Sequence, residues 1–322
     1  MPDEFTLPLG AEVTAADRAE LDAMRAQFRQ LSQEKRGLEG NRAFMDSGHL
    51  HATYPEPLRL TTYHAENVLI EKVEAGNGMN SQRVMLHCHG GGYAVGSTLS
   101  HRPLAARLSD ATQRAVFTFN YRLAPEHRFP AALEDAVTVY RWLLQQFPAQ
   151  AIVVSGDSAG GSLALALLLA AREQQLPQPL AAVGLSPWID LACDGNTFLL
   201  NQQRDPAGNR GGLLMMAHAY AGKDQLRHPL VSPLYATDLN GLCPLLLQVG
   251  TAETLLDDSR RFADKARHDG VAVTLQEWPE MIHVWHSFFD RLPQAAAALS
   301  AIQAWLHTLP AHNTTVISPT TA

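Results

Sequence analysis

Short apolar runs alternate with longer segments of helical periodicity along most of the chain. The apolar runs, typical of buried strands, occupy residues 68–73, 84–89, 115–120, 151–156, 180–186, 244–250 and 271–278. The helical segments occupy residues 12–35, 101–110, 131–146, 159–172, 257–268 and 295–306. Because strands that are apolar throughout are usually covered on both faces, this alternation predicts an α/β fold with a mostly parallel central sheet flanked by helices.

Other regions depart from this alternation. Residues 190–240 are rich in Asp, Gly, Asn and Pro around one helical patch at 211–222. We expect residues 1–50 and an insertion at about 190–230 to form a helical cap over the carboxyl edge of the sheet, and residues 51–310 to form the main domain. Residues 311–322 are polar without helical periodicity, and we expect them to be disordered.

The charge and the hydropathy of the chain argue against nucleic acid and the membrane interior as partners. The chain has 322 residues and a formal net charge of −7. This acidic balance argues against nucleic acid as a partner, because phosphate binding needs a basic surface. The longest strongly apolar run, residues 163–171, is too short to span a bilayer, so we expect no stable membrane insertion.

The cysteines and the N-terminus bear on location. None of the three cysteines, Cys88, Cys193 and Cys243, belongs to a CxxC pattern. We interpret them as reduced thiols in a reducing compartment. The N-terminus lacks a basic region followed by an apolar run, which argues against a secretory signal. A cytoplasmic location is therefore the expectation.

The strongest motif is Gly156-Asp157-Ser158-Ala159-Gly160, which fits the pattern G-x-S-x-G. An apolar strand runs into it and an apolar helix follows it, as in a nucleophile elbow. So sharp a turn strains the serine and leaves no room for side chains two positions to either side. The following helix would point its N-terminus at the serine oxygen, where it favours an anion. The alternative is a glycine-rich turn with an incidental serine.

A second glycine motif, His89-Gly90-Gly91-Gly92, also follows a predicted strand. Backbone N–H groups of such a loop, with that of Ala159, could hold the oxyanion of a tetrahedral intermediate at about 3 Å. A flexible turn is one alternative. A phosphate loop is another, but it would need Lys-Ser/Thr where Tyr93-Ala94 stands. A metal pair of His87 and His89 lacks a third ligand at a suggestive spacing.

Together these motifs resemble those of the hormone-sensitive-lipase-like (family IV) esterases, a branch of the α/β-hydrolase fold. The matching segments are HGGGY (89–93), YRLAPEHRFPAALED (121–135), GDSAGG (156–161) and MIHVWHSF (281–288). They occur in the family's order, and the resemblance covers residues 84 to about 306. It implies an α/β-hydrolase fold and a serine carboxylesterase that acts on short- to medium-chain esters without a cofactor. From the spacing of the histidines we also expect no metal ion.

The resemblance also assigns roles to individual residues. Ser158 matches the nucleophile and His283 matches the catalytic base. The oxyanion hole is matched by Gly91, Gly92 and Ala159, with Gly90 in the same loop. The N-terminal helices and the insertion match the family's cap, which lines the substrate pocket. Within that pocket we expect walls from Tyr93, Trp188 and Trp285.

The triad acid is less clear from the sequence. In this fold the order is serine, acid, histidine, so the acid should lie in the segment 249–259 after an apolar strand. The family usually has aspartate where this chain has Glu253. Asp257 and Asp258 follow, in positions typical of the first turn of a helix. We favour Glu253 over Asp257 because it comes directly after the strand.

The sequence leaves several functions open. The same machinery could act on a lactone or another carbonyl substrate instead of an ester. A ligand-binding protein on an inactive hydrolase scaffold is a further alternative, although such proteins lose a triad member and this chain retains serine, histidine and carboxylate candidates. A small-molecule ester is the expected partner, and whether the chain forms a homodimer is left open.

Overall fold

The computed structural model describes residues 12–206 and 208–310. The predicted disordered tail at 311–322 lies outside the described residues. The strands are β1 (Leu58–Ala65), β2 (Val68–Ala75), β3 (Asn80–Cys88), β4 (Arg114–Phe119), β5 (Ile152–Asp157), β6 (Ala181–Leu185), β7 (Leu245–Gly250) and β8 (Val273–Trp278). The α-helices are α1 (Ala15–Gln33), α2 (Gly37–Ser47), α3 (Thr98–Thr112), α4 (Ala131–Leu144), α5 (Ala159–Glu173), α6 (Thr197–Leu200), α7 (Arg210–Ala221), α8 (Leu256–His268) and α9 (Pro293–Thr308).

The eight strands form one sheet in the order β1-β2-β4-β3-β5-β6-β7-β8. The pairs β1–β2 and β2–β4 are antiparallel, and the remaining pairs from β4 to β8 are parallel. The prediction of a mostly parallel sheet flanked by helices is confirmed. The carboxyl ends of β5, β7 and β8 therefore lie at one edge, where the candidate site is assembled.

Alternate side chains of the central strands enter two different cores. On β5, Val153 packs with Leu104 of α3 and Ile302 of α9 on one face. Its neighbour Val154 packs with Leu163 of α5 on the other face, in the larger core. Since successive strand residues point to opposite faces, a strand covered on both sides is apolar throughout.

The N-terminal helix α1 is fixed to the carboxyl-terminal part of the chain. Thr14 and Asp17 form a reciprocal capping box at its start. Its two buried residues, Leu21 and Met24, pack in a third apolar cluster that includes Trp285. The helix therefore covers the segment that carries His283.

Strand β1 was absent from the sequence prediction, and helices α2 and α6 lie in the regions expected to form the cap but were not delimited there. Strand β1 lies at the edge of the sheet, where four of its eight residues are exposed and only Ala65 is buried, so it lacks an apolar run. Helix α2 has no buried residue, and its two glycines, Gly37 and Gly40, weaken the helical signal of the sequence. Among the described residues, none of the helices has the length and apolar character needed to cross a bilayer.

Candidate active site

Ser158 lies in the turn between β5 and α5, with φ of 53° and ψ of −123°. A positive φ is unfavourable for a residue with a side chain, so the turn is strained. A β-carbon at Gly156 would lie 2.1 Å from the carbonyl oxygen of Gly160, and one at Gly160 would lie 2.0 Å from that of Cys88. Both positions therefore require glycine, as the motif predicts.

Three side chains from three loops form a continuous hydrogen-bonded chain. Nε2 of His283 lies 2.9 Å from Oγ of Ser158, and Nδ1 lies 3.1 Å from Oε2 of Glu253. Glu253 is fully buried after β7, and His283 is partly exposed after β8. The contacts fit an imidazole that donates from Nδ1 to the carboxylate and accepts from the serine hydroxyl at Nε2.

Glu253 is held by two further donors. Its Oε1 accepts hydrogen bonds at 2.7 Å from the hydroxyl of Ser186 and at 2.7 Å from the backbone N–H of Gly250. The Ser186 hydroxyl also accepts from the backbone N–H of Val284, next to the histidine. Ser186 thus links the acid loop to the histidine loop. We did not select it from the sequence, where the only signal is a serine at the end of a predicted strand.

The other two candidate acids lie elsewhere. Oδ2 of Asp257 accepts from the backbone N–H of Thr197 at 3.1 Å. Oδ2 of Asp258 accepts from the backbone N–H groups of Ile189 and Asp190. Of the three carboxylates, Glu253 is the one that contacts the histidine.

The electrostatics of the pair suit a base beside a buried acid. Burial raises the pKa of Glu253 above its usual value, although its contact with His283 opposes this shift. Burial also lowers the pKa of His283, but the hydrogen bond and charge of Glu253, assisted by Asp205, outweigh it and raise the pKa above 6.5. The protonated imidazole is therefore stabilised in place.

The glycines of the second motif play two different parts. The N–H of Gly90 donates to Oδ1 of Asp157 at 3.0 Å, so it holds the loop and is not free to bind a ligand. Gly91 and Gly92 have φ of 112° and 62°, and a β-carbon at Gly91 would lie 2.2 Å from the carbonyl oxygen of Val95. Within residues 12–206 and 208–310, the N–H groups of Gly91, Gly92 and Ala159 donate to no protein acceptor. They are available as oxyanion donors.

Asp157 holds this loop in place by accepting the hydrogen bond from the N–H of Gly90. It is buried between His87 and His101, whose ring nitrogens lie 3.2 and 3.4 Å from its carboxylate oxygens. Burial alone would raise the pKa of Asp157, but the two imidazoles hold it well below its usual value. The other ring nitrogen of His87 contacts Ser155 Oγ, so this histidine is already engaged and the alternative of a metal pair with His89 gains no support.

The three predicted pocket residues lie in the packed interior. Tyr93 is 1% exposed and stacks on Tyr220 of α7, with ring centroids 3.7 Å apart. Trp188 is fully buried, and its indole N–H donates to the carbonyl of Asp190. Trp285 is fully buried beneath α1. Their size and aromatic character suit a pocket wall, but in the structure all three side chains are packed in buried apolar clusters. The residue that lies against the oxyanion loop is Met216. Its sulfur is so close to Gly92 that a β-carbon there would lie 2.2 Å from it.

The segment 197–205 of the predicted cap contacts the loop that carries Glu253. The side-chain amide of Asn201 donates to the carbonyls of Thr251 and Glu253. Oδ2 of Asp205 accepts from the backbone N–H of Thr254 at 2.9 Å and lies 3.2 Å from its hydroxyl. Helix α1 holds the same segment, because Nε of Arg25 donates to the carbonyl of Arg204. Neither Asn201 nor Asp205 was selected from the sequence.

The only group of side chains found in the described ranges that could hold a metal ion coincides with this site. One ligand atom from each of Asp205, Glu253 and His283 lies within 4.8 Å of the others. Two of the three already take part in the hydrogen-bonded chain that ends at Ser158. The same side chains are therefore placed for acid-base chemistry at the hydroxyl of Ser158.

Known proteins share this architecture. A family model described as an alpha/beta hydrolase fold matches residues 85–287. The chain belongs to the α/β-hydrolase family. Among the curated relatives of this hydrolase, an acetyl-hydrolase of Streptomyces hygroscopicus is 46% identical over 227 residues, which cover 70% of this chain and 76% of the relative. An esterase of Acinetobacter venetianus is 36% identical over 248 residues, covering 76% and 79%.

Solved structures place the hydrolase within a branch of the family. The crystal structure of an esterase from the bacterial hormone-sensitive lipase family superposes with a TM-score of 0.86 at 37% sequence identity. The match covers 90% of this chain and 98% of that chain. The resemblance to hormone-sensitive-lipase-like esterases is confirmed.

Proposed function

We propose that this α/β hydrolase is a serine carboxylesterase that cleaves short- to medium-chain carboxylic esters through an acyl-enzyme. One observation carries the proposal: the hydrogen-bonded chain from Ser158 through His283 to the buried Glu253. The names of its relatives, acetyl-hydrolase and esterase, support the same class of substrate. An acetyl group is a short acyl chain, which agrees with the chain length proposed.

The reaction follows from the positions of these atoms. His283 accepts the proton of Ser158 at Nε2 while the serine oxygen attacks the ester carbonyl. The oxyanion forms against the N–H groups of Gly91, Gly92 and Ala159 at the start of helix α5. His283 then protonates the leaving alcohol, and a water molecule repeats the sequence on the acyl-enzyme. Glu253 holds the imidazole tautomer and stabilises its charged form throughout.

The proposal is tested with p-nitrophenyl esters of increasing acyl length and a few lactones. Ser158→Ala should lower kcat by a factor on the order of 10⁶ on the preferred substrate. Ser300→Ala is the matched control, because Ser300 is exposed on α9 and donates only to a main-chain carbonyl of its own helix. It should leave kcat unchanged.

The same panel separates the remaining functions. Turnover of lactones in preference to esters would transfer the proposal to a lactonase with the same triad. Full activity in Ser158→Ala would remove the proposal altogether. Binding of substrates without any turnover by the unmodified protein would favour a ligand-binding role.

The buried cysteines and the edge of the sheet bear on the cellular location and the oligomeric state of the protein. The three cysteines are buried and unpaired, which supports a reducing, cytoplasmic location. Strand β8 lies at an edge of the sheet with partly exposed residues, and an unpaired edge is a ready surface for a second chain. We propose a homodimer on this basis, which analytical ultracentrifugation would test. A monomer at micromolar concentration would contradict it.

A further inference from the structure

A second buried carboxylate lies beside the acid and base of the proposed triad. Asp205 is fully buried, and it contributes one of the three side-chain atoms, with those of Glu253 and His283, that lie within 4.8 Å of one another. It belongs to segment 197–205 of the predicted cap, whereas the other two follow strands of the sheet. We propose that Asp205 is a positioning residue that stabilises the protonated form of His283 and fixes the loop of Glu253. This inference rests on the proposed function.

The contacts of Asp205 orient it toward the acid loop. One of its oxygens, Oδ2, faces both the backbone N–H and the hydroxyl of Thr254, which follows Glu253 directly. Two donors at one oxygen are what an ionised carboxylate accepts. Gly208 keeps this contact close, because a β-carbon there would lie 2.3 Å from the Thr254 hydroxyl.

The two carboxylates act on the imidazole in the same direction. Burial lowers the pKa of His283, and the negative charges of Glu253 and Asp205 raise it again. Between themselves the two carboxylates repel, and Asp205 adds to the rise in the pKa of Glu253. That repulsion is present in the resting enzyme and is offset when the imidazole gains a proton from the serine. Asp205 therefore favours the transition state over the ground state.

Other titratable and charged groups of the described residues also lie near the imidazole or its loop. Asp157, on β5, also raises the pKa of His283. His286, three residues further along the same loop, is neutral because burial lowers its pKa to about 3. Glu280, at the start of the histidine loop, pairs with Arg18 at 2.8 Å, and the charges of Arg25 and Arg204 also act on its carboxylate. Removal of the Asp205 charge therefore leaves Glu253 and Asp157 as the anionic groups acting on His283.

The test compares variants that remove charge with variants that remove a contact. Asp205→Asn is nearly isosteric and keeps an oxygen that can accept from Thr254. Asp205→Ser removes the charge with a smaller side chain, in case the amide is not tolerated. Thr254→Val removes only the hydroxyl contact. Asp257→Asn removes a carboxylate that instead contacts Thr197. All assays contain EDTA, since the same three groups could hold a metal ion.

The main readout is the pH profile of kcat/KM, whose acid limb reports the protonation of the free enzyme's base. Both Asp205 variants should shift the acid limb to lower pH by about one unit and lower kcat about tenfold, with little change in KM. Thr254→Val and Asp257→Asn should leave the acid limb where it is. An unmoved limb in folded Asp205 variants, whether or not kcat falls, overturns the inference, because a merely structural role would lower the rate without moving the limb.

A second readout does not depend on turnover. NMR titration of the His283 imidazole in the Ser158→Ala background should give a lower pKa with Asp205→Asn than with Asp205 intact. An equal pKa in the two proteins overturns the inference. If the unmodified enzyme hydrolyses no ester or lactone, the proposed function fails, and the titration still decides whether Asp205 acts on the imidazole.

Discussion

The side-chain amide of Asn201 donates a hydrogen bond to the main-chain carbonyl of Glu253, with 2.7 Å between nitrogen and oxygen. The same amide lies 3.2 Å from the carbonyl of Thr251. A residue of the segment 197–205 thus fixes the main chain of the loop that carries Glu253, the proposed triad acid. The acid is positioned from both sides, by Ser186 and Gly250 at its carboxylate and by Asn201 at its backbone.

Replacement of Asn201 by leucine should loosen this loop. The leucine side chain is similar in size but cannot donate, so the carbonyl of Glu253 loses its 2.7 Å hydrogen bond and keeps only the 3.4 Å contact from the backbone N–H of Leu256. We expect a loss of about 1–3 kcal/mol in the free energy of unfolding, the typical cost of an unpaired buried polar group. We also expect kcat/KM to fall several-fold. Urea unfolding and steady-state kinetics measure the two effects, and unchanged values for both would contradict the role given to Asn201.

Glu253→Gln should lower kcat by a factor on the order of 10⁴, the effect of replacing the orienting acid of a serine hydrolase by its amide. The glutamine can present its NH₂ group to Nδ1, which favours the wrong imidazole tautomer. Asp257→Asn is the control and should remain within a few-fold of the unmodified enzyme. An equal loss in the control would mean that the triad acid is misassigned. Circular dichroism verifies that both variants are folded.

The activity should depend on pH through His283. Only the neutral imidazole can accept the serine proton, so kcat/KM rises as His283 loses its proton. The pKa of His283 is raised above 6.5, chiefly by the adjacent Glu253 against the effect of burial. The midpoint of the acid limb should therefore lie above pH 6.5, with activity lost as the pH falls through that value. A midpoint well below 6.5 would contradict the geometry of the pair.

Gly160→Ala should prevent the elbow from forming. Its β-carbon would lie 2.0 Å from a main-chain oxygen of β3, and backbone cannot move aside without disturbing the sheet. We expect a loss of at least about 4 kcal/mol or failure to fold. Gly211→Ala is the matched change, because a β-carbon there has no neighbour closer than 3.5 Å. In helix α7 it should stabilise by up to about 1 kcal/mol. Thermal unfolding compares the two.

The parts of the site that could be predicted from the sequence are those with a local cause. The elbow at Ser158 follows from a strand, two glycines and a helix that are adjacent in the chain. The choice of Glu253 over Asp257 rests on its distance from the end of β7. In the structure, Glu253 is the carboxylate that contacts His283, and its role as the triad acid stays a proposal.

The parts that were missed depend on packing between distant segments. Nothing local marks Asp205 or Asn201, which reach the acid loop only because the segment 197–205 folds back over it. Trp285 is seven residues from the end of a predicted strand and two from His283, which suggested a pocket wall, yet helix α1 covers it. Large aromatic residues suit a pocket and a core equally well, and the sequence does not distinguish the two.

The origin of Asp205 in the predicted cap affects how hydrolases of this type can be recombined. Cap exchange between relatives is a natural route to altered substrate range, on the assumption that the chemistry stays with the sheet. Here a graft that replaced residues 190–230 would also remove Asn201 and Asp205, and with them part of the support and charge around the proton acceptor. Chimeras should therefore retain these two residues if selectivity is to change without loss of turnover.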